Sequence, residues 1–92
     1  MNDIEPKVIK VISDALRIKT EKIFPESAVF RDLGAESLDM LDIRFRLEKE
    51  FSLKIPDGEI MASFKNSTHD EITNEFSVAH IVDFIKGKHV SE

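Results

Sequence analysis

The stretch Leu33-Gly34-Ala35-Glu36-Ser37-Leu38-Asp39-Met40-Leu41 joins a tight turn to the start of a helix. Gly34 suits the turn, and Ser37 stands where the apolar spacing of a helix begins. The first turn of a helix has unpaired N–H groups and the positive end of the dipole, so it would favour a phosphodiester on Ser37 by about 0.3–1 kcal/mol. The alternative is that Ser37 only caps the helix, which is the commoner role of an isolated serine in this position.

The helix that this stretch opens is predicted to cover residues 37–51. Placed at 100° per residue, its polar side chains share one sector: Asp39, Asp42, Arg46, Lys49 and Glu50. Apolar side chains flank that sector on both sides: Leu38, Leu41 and Phe45 on one, and Met40, Ile43, Leu47 and Phe51 on the other. Only Arg44 and Glu48, a possible i,i+4 pair, interrupt the apolar arc. A helix that is apolar over more than half its circumference packs against several neighbours, so we predict the central helix of the fold.

Three more helices are predicted around the central one. Apolar residues at helical spacing indicate a first helix over residues 4–19, a short third helix over 56–64 and a last helix from 77 or 78 to 86, capped by Gly87. Residues 65–77 are polar, but Thr68-His69-Asp70-Glu71 reads as a capping box that allows one extra helical turn. No segment shows sustained two-residue alternation, so the fold is predicted to be all-α, with residues 20–36 as a long irregular loop.

The composition limits the chemistry that the chain can perform. With 92 residues it has room for one small domain, residues 1–92. The absence of Cys excludes disulfides, thiolate metal sites and a cysteine nucleophile, and the three His show no convincing metal-ligand spacing. We expect no membrane-spanning helix and no secretory signal, because apolar runs are short and the N-terminus is polar. Its 18 acids against 13 bases favour basic protein partners over nucleic acid.

The residues around Ser37 resemble the modification motif of acyl carrier proteins, usually written L-G-[AV]-D-S-L-D. The likeness continues through Leu47-Glu48-Lys49-Glu50-Phe51 and Ile55-Pro56-Asp57 into the terminal helix. It covers nearly the whole chain in the order of that family. The resemblance implies a small four-helix bundle with a short third helix and an extended segment before the last helix.

The resemblance also implies a function without catalysis. Ser37 would receive 4′-phosphopantetheine from coenzyme A through a separate Mg-dependent phosphopantetheinyl transferase. Acyl groups would then travel as thioesters on the arm, between acyl-transferring enzymes of fatty-acid and lipid biosynthesis. The chain would be a cytoplasmic monomer and not an enzyme. A hydrolase is disfavoured, because G-x-x-S is not the G-x-S-x-G elbow and no triad is evident.

Two further sets of residues follow from the resemblance. Partner enzymes of this family place basic patches against the helix that begins at the modified serine; the matching positions are Glu36, Leu38, Asp39, Met40, Asp42 and Glu48. The family also shelters the acyl chain between its helices; the candidate lining residues are Val29, Leu33, Leu41, Phe45, Leu47, Ile55 and Ile60. The alternative for each lining residue is ordinary core, because core and acyl pocket share the same apolar chemistry.

Three departures from the family qualify this interpretation. Glu36 replaces the usual Asp before the serine, and Glu is a poorer cap, so recognition by a housekeeping transferase is less assured. Residues 32–50 hold six acids and three bases, a net of −3, so partners tuned to a strongly negative helix should bind less well. The segment between Pro56 and Val78 is long, as in the specialised carriers that supply long acyl chains to lipid A.

The long segment has more than one interpretation. It would enlarge the acyl compartment, present a surface to a particular partner, or be a tolerated loop insertion, which loop statistics slightly favour. Two other functions stay open: a carrier of aminoacyl or polyketide intermediates, and a carrier-like interaction module whose Ser37 is never modified.

Overall fold

Four α-helices and two single 3-10 turns make up the part of the chain that the computed structural model describes, residues 3–90, with side chains up to residue 88. The helices are α1 (Ile4–Leu16), α2 (Ser37–Phe51), α3 (His69–Glu75) and α4 (Val78–Val90). The 3-10 turns are Thr20–Lys22 and Ala62–Phe64. The all-α prediction is therefore confirmed, and α2 has the predicted bounds.

The helices α1, α2 and α4 enclose the hydrophobic core, and each contributes side chains that are fully buried. Examples are Val8 and Ile12 on α1, Ile43 and Leu47 on α2, and Ile81 and Ile85 on α4, all with 0% exposure. Burying an aliphatic side chain of this size contributes about 1.5–3 kcal/mol, so these residues decide which face of each helix points inward. No helix among residues 3–90 is long and apolar enough to cross a membrane.

Three predicted boundaries are wrong. Helix α1 ends at Leu16 rather than at residue 19, because Arg17 takes a left-handed conformation with φ 60°. Residues 56–64 form no α-helix: Gly58 has φ +83°, which breaks the helical path, and only Ala62–Phe64 completes a 3-10 turn. Helix α4 continues through Gly87 to Val90, so Gly87 is not its cap.

The short third helix lies later in the chain than predicted, in the segment that follows residue 64. The capping box seen in the sequence opens it: Thr68 Oγ1 accepts from Glu71 N at 3.1 Å, and Glu71 Oε1 accepts from Thr68 N at 2.8 Å. These two bonds satisfy donors that the first helical turn leaves unpaired. The capping box therefore marks the start of α3, which has seven residues and is longer than the single turn predicted.

The long loop before α2 is fixed to the start of α4. Val29 N donates to Phe76 O at 2.9 Å, and Val78 N donates to the carbonyl of Ser27 at 3.0 Å. Phe76 is fully buried, and its ring lies 5.9 Å from that of Phe30. The loop that delivers the chain to Ser37 therefore has a defined path, although it has little regular secondary structure.

Candidate functional site

Ser37 is the first residue of α2, and a short turn places it there. Gly34 has φ +73°, a conformation that residues with a side chain rarely adopt, and its N–H donates to Phe30 O at 3.2 Å. The next residue is tied down as well, because Ala35 N donates to Val29 O at 3.1 Å. The turn predicted at Gly34 is confirmed, and the residues that follow Ala35, from Glu36 to Leu38, are exposed.

The hydroxyl of Ser37 does not cap α2. Glu36 occupies the cap position with an extended backbone, φ −119° and ψ 173°, and the Asp39 Oδ2 accepts from Glu36 N at 2.8 Å. Ser37 is exposed, and its side chain forms no hydrogen bond with another residue in the described range 3–90. The interpretation of Ser37 as a simple helix cap is therefore wrong. An accessible hydroxyl at the positive end of a helix dipole suits attachment of a phosphodiester.

Two cavities adjoin Ser37, one on each side of Met40 and Met61. The larger has a volume of about 580 Å³ and lies between the loop before α2, the start of α2 and helix α3. Its lining is Phe30, Ala35, Glu36, Ser37, Met40, Met61, His69, Ile72 and Thr73. The smaller, of about 120 Å³, lies between α2 and the turn at residues 57–61, and both methionines line it too.

The predicted acyl-pocket residues lie in four different environments. Val29, Leu47 and Ile55 are at most 1% exposed and belong to the core. Leu41 and Ile60 line the smaller cavity, and Leu33 is half-buried beside the core. Phe45 is 53% exposed on the outer face of α2. None of the seven lines the larger cavity.

Several residues that line the larger cavity were not predicted as site residues, for a physical reason. Phe30, Met61 and Ile72 come from three separate segments that only the tertiary fold brings together. A usable signal existed for Ile72 alone, because it is the apolar residue that directly follows the capping box. Met40 was predicted as a partner contact, and it is half-buried between the two cavities.

The acids predicted to meet partner enzymes each have a local partner. Asp42 forms an ion pair with the Nε of Arg46 at 3.1 Å, and Asp39 caps the helix as described. The Glu48 Oε2 accepts from Ile55 N at 2.8 Å, so this carboxylate is directed at the chain that follows α2. Arg44 donates to Ile55 O at 2.8 Å rather than pairing with Glu48. Glu36, the fourth predicted acid, is exposed at the start of the helix and shares the capping box with Asp39.

An apolar stripe, defined as Leu38, Leu41 and Phe45, runs along the exposed face of α2. The three side chains are 79%, 40% and 53% exposed. The guanidinium of Arg44 lies 4.7 Å from the centre of the Phe45 ring, an exposed cation–π contact. Large apolar side chains so exposed and so close together are typical of an interaction surface.

One carboxylate in the loop before α2 has a perturbed titration. The hydrogen bond from Arg31 and the one from the backbone N–H of Ala28 hold the pKa of Asp32 below its ordinary value. The bond from Ala28 N to the Asp32 carboxylate is 2.8 Å long, and it closes a turn in the loop that leads to Gly34.

Among residues 3–90, no group of three His, Asp or Glu side chains is placed to hold a metal ion.

A small helical domain that presents a free hydroxyl at the start of its central helix, beside an apolar cavity, is suited to carrying a covalently attached group. Residues 6–74 match the protein family described as "Phosphopantetheine attachment site". The chain is also similar to acyl carrier proteins of Buchnera aphidicola subsp. Acyrthosiphon pisum, strains Tuc7, 5A and APS. It is 44% identical to each over 59 residues, which cover 64% of this chain and 74% of the relative.

The chain belongs to the acyl carrier protein family. It is a carrier and not an enzyme, and its cofactor is covalently attached 4′-phosphopantetheine. Its partners include a phosphopantetheinyl transferase and biosynthetic enzymes. Ser37 fits such an arm, because its hydroxyl is exposed at a helix N-terminus and forms no hydrogen bond with another side chain or loop of residues 3–90.

Proposed function

We propose that Ser37 is the attachment site of 4′-phosphopantetheine and that the chain carries acyl groups for fatty-acid or lipid biosynthesis. The observation that supports this most is that Glu36 and Asp39 form the cap of α2, which leaves the Ser37 hydroxyl free for modification. When bound, the arm supplies a terminal thiol that holds an acyl group as a thioester. Ser37 anchors the arm, and the helix N-terminus favours its phosphodiester.

The proposal includes the setting in which the carrier acts. Residues 1–92 would form one carrier domain that works as a monomer in the cytoplasm. A single hydrophobic core joins buried residues of α1, α2 and α4, which supports one domain. The segment between Phe64 and Phe76, which contains α3, supports a specialised cargo such as the long acyl chains of lipid A, because it adds a wall to the cavity beside Ser37.

Partner enzymes are proposed to dock on the exposed face of α2 next to Ser37. The apolar stripe supplies the contact area, and full burial of a leucine or phenylalanine contributes about 1.5–3 kcal/mol. Asp42 contributes less charge than expected from the sequence, because it forms an ion pair with Arg46. Asp39 and Glu48 accept only from backbone N–H groups, so their negative charges remain available to a basic partner. Glu36 and Met40 complete the predicted surface around the attachment site. A partner that fits this face has an apolar patch bordered by basic side chains, because residues 32–50 keep a net charge of −3.

The attachment site is tested by incubating the purified protein with coenzyme A, Mg²⁺ and a phosphopantetheinyl transferase, followed by intact-mass spectrometry. The wild-type chain and Ser63→Ala, a substitution at an exposed serine elsewhere, are expected to gain one phosphopantetheine mass. Ser37→Ala is expected to gain none. Modification of Ser37→Ala would place the arm on another residue. An unmodified wild-type chain would instead indicate an interaction module without an arm.

A further inference from the structure

A further cavity, called here the α4 groove, lies between residues 59–63 and helix α4 and has a volume of about 450 Å³. Its lining is apolar at Ile60, Ala62 and Phe84, and polar at Glu59, His80 and Asp83. Neither Ser37 nor any other residue of α2 lines it. The α4 groove therefore contains neither the attachment site nor the apolar stripe.

The residues that form the α4 groove belong to the most acidic part of the chain. Residues 57–83 hold six acids against a single base, Lys65, which gives them a net charge of −5 with His neutral. The net charge of the whole chain is also −5, so all other residues together are neutral. Two of the six acids, Glu59 and Asp83, line the groove itself. Charge complementarity therefore favours a positively charged partner in this groove.

A cation of the chain itself already contacts two of the residues that line the α4 groove. The Nζ of Lys88 lies 3.1 Å from Glu59 Oε1 and 5.9 Å from the centre of the Phe84 ring. An ammonium between a carboxylate and an aromatic face combines an ion pair with a cation–π contact. The position of Lys88 thus shows which chemistry the groove accepts: a positive charge beside an apolar ring.

Lys88 leaves part of the binding capacity of the groove unused. Glu59 Oε1 is a buried oxygen that accepts no hydrogen bond from the described residues, because its contact with Lys88 is one of charge alone. Asp83 is exposed and forms no ion pair with the side chains described up to residue 88. A guanidinium has five N–H donors in a planar fork that suits carboxylates, and its flat face stacks on aromatic rings. Arginine therefore fits the groove better than the lysine that is there.

We propose that the α4 groove binds an arginine side chain of a basic partner protein, and that Lys88 occupies this site until the partner displaces it. The guanidinium pairs with Glu59 and stacks on Phe84, in the place that Lys88 leaves. Asp83 adds a second negative charge to the same groove. The site needs no arm on Ser37, and it gives a partner a second contact besides the apolar stripe of α2.

The proposal is tested on the full chain by NMR titration with a blocked peptide in which two arginines flank a leucine. The same peptide with citrulline in place of arginine keeps the shape of the side chains without their charge. The arginine peptide is expected to shift the backbone amide signals of Asp83 and Phe84, and the citrulline peptide is expected to leave them in place. Ser37→Ala should give the same shifts, so failure of the proposed attachment would leave this result intact. Equal shifts with both peptides, or shifts confined to the apolar stripe, would overturn the proposal.

Three substitutions connect the binding to the residues named. Lys88→Met keeps the aliphatic stem and removes the competing ammonium, so it is expected to lower the Kd of the arginine peptide about two- to fivefold, the factor that corresponds to an exposed ion pair. Glu59→Gln is expected to raise that Kd by a similar factor. The matched control, Glu75→Gln, removes the same charge from an exposed position of residues 57–83 that does not line the groove, and it is expected to have a smaller effect than either. Equal effects of Glu59→Gln and Glu75→Gln, or an unchanged Kd in Lys88→Met, would overturn the proposal.

Discussion

Replacing Phe45 by alanine should weaken docking of the transferase as well as the fold. The Phe45 ring is 53% exposed on the stripe of α2. Because full burial of a phenylalanine contributes about 1.5–3 kcal/mol, about half of that, roughly 1 kcal/mol, is still available to a partner that covers the ring. A loss of this size corresponds to a five- to tenfold lower kcat/KM for phosphopantetheinyl transfer, by about 1.4 kcal/mol per tenfold.

The chain offers a matched control for this substitution. Phe24 is 51% exposed but lies in the loop before α2 rather than on the stripe. Phe24→Ala should lose a similar free energy of unfolding, about 1–1.5 kcal/mol for the buried half of the ring, and should keep the kcat/KM of the wild-type chain. Steady-state modification kinetics and chemical denaturation of both variants provide the two quantities. Equal kcat/KM in the two variants would refute the assignment of docking to the stripe.

Three further predictions concern the charges around the site. Glu48→Ala should lower the free energy of unfolding, measured by chemical denaturation, by about 1–3 kcal/mol, because it leaves the buried Ile55 N–H without its acceptor. Asp42→Ala is the control: it removes only an exposed ion pair and should lower the free energy of unfolding by less than about 1 kcal/mol. Raising the ionic strength should lower the affinity for a partner enzyme in titration calorimetry, because Asp39 and Glu48 accept only from backbone N–H groups and stay charged. An affinity that does not change with salt would contradict docking through these charges. Because the pKa of Asp32 is lowered in the folded chain, its carboxylate stabilises the fold at pH values above its unfolded-state pKa, and this contribution disappears as the pH falls through the folded-state pKa. In Asp32→Asn, the free energy of unfolding measured by denaturation should therefore fall less steeply with decreasing pH than in the wild-type chain.

The features that the sequence predicted correctly depend on local chemistry. Helix α2 has its predicted bounds because apolar residues at helical spacing follow a glycine turn, and both signals lie within a few residues. The capping box at Thr68 correctly indicated a helical turn, since both of its hydrogen bonds join residues three apart. The same local rules fail at residues 56–64, where Gly58 adopts a positive φ that no periodicity reveals.

The features that the sequence missed depend on contacts between distant segments. Glu48 was predicted as a docking acid. Its hydrogen bond from Ile55 N could not be predicted, because it forms only when the chain turns back after α2. Phe45 looked like a pocket residue, because the apolar arc of α2 is wider than the surface that its neighbours cover. The larger cavity beside Ser37 is lined by three segments with no shared pattern in the sequence, so only the fold shows that they meet.

The central claim, that this chain carries acyl groups on an arm at Ser37, is tested most directly by mass spectrometry of the intact protein purified from its own cells. The same spectrum reports the arm and its cargo. One phosphopantetheine mass per chain is expected, with part of the population bearing an additional acyl mass. A protein without the arm would contradict the carrier function, and an arm bearing only amino acids would contradict the assignment to lipid biosynthesis.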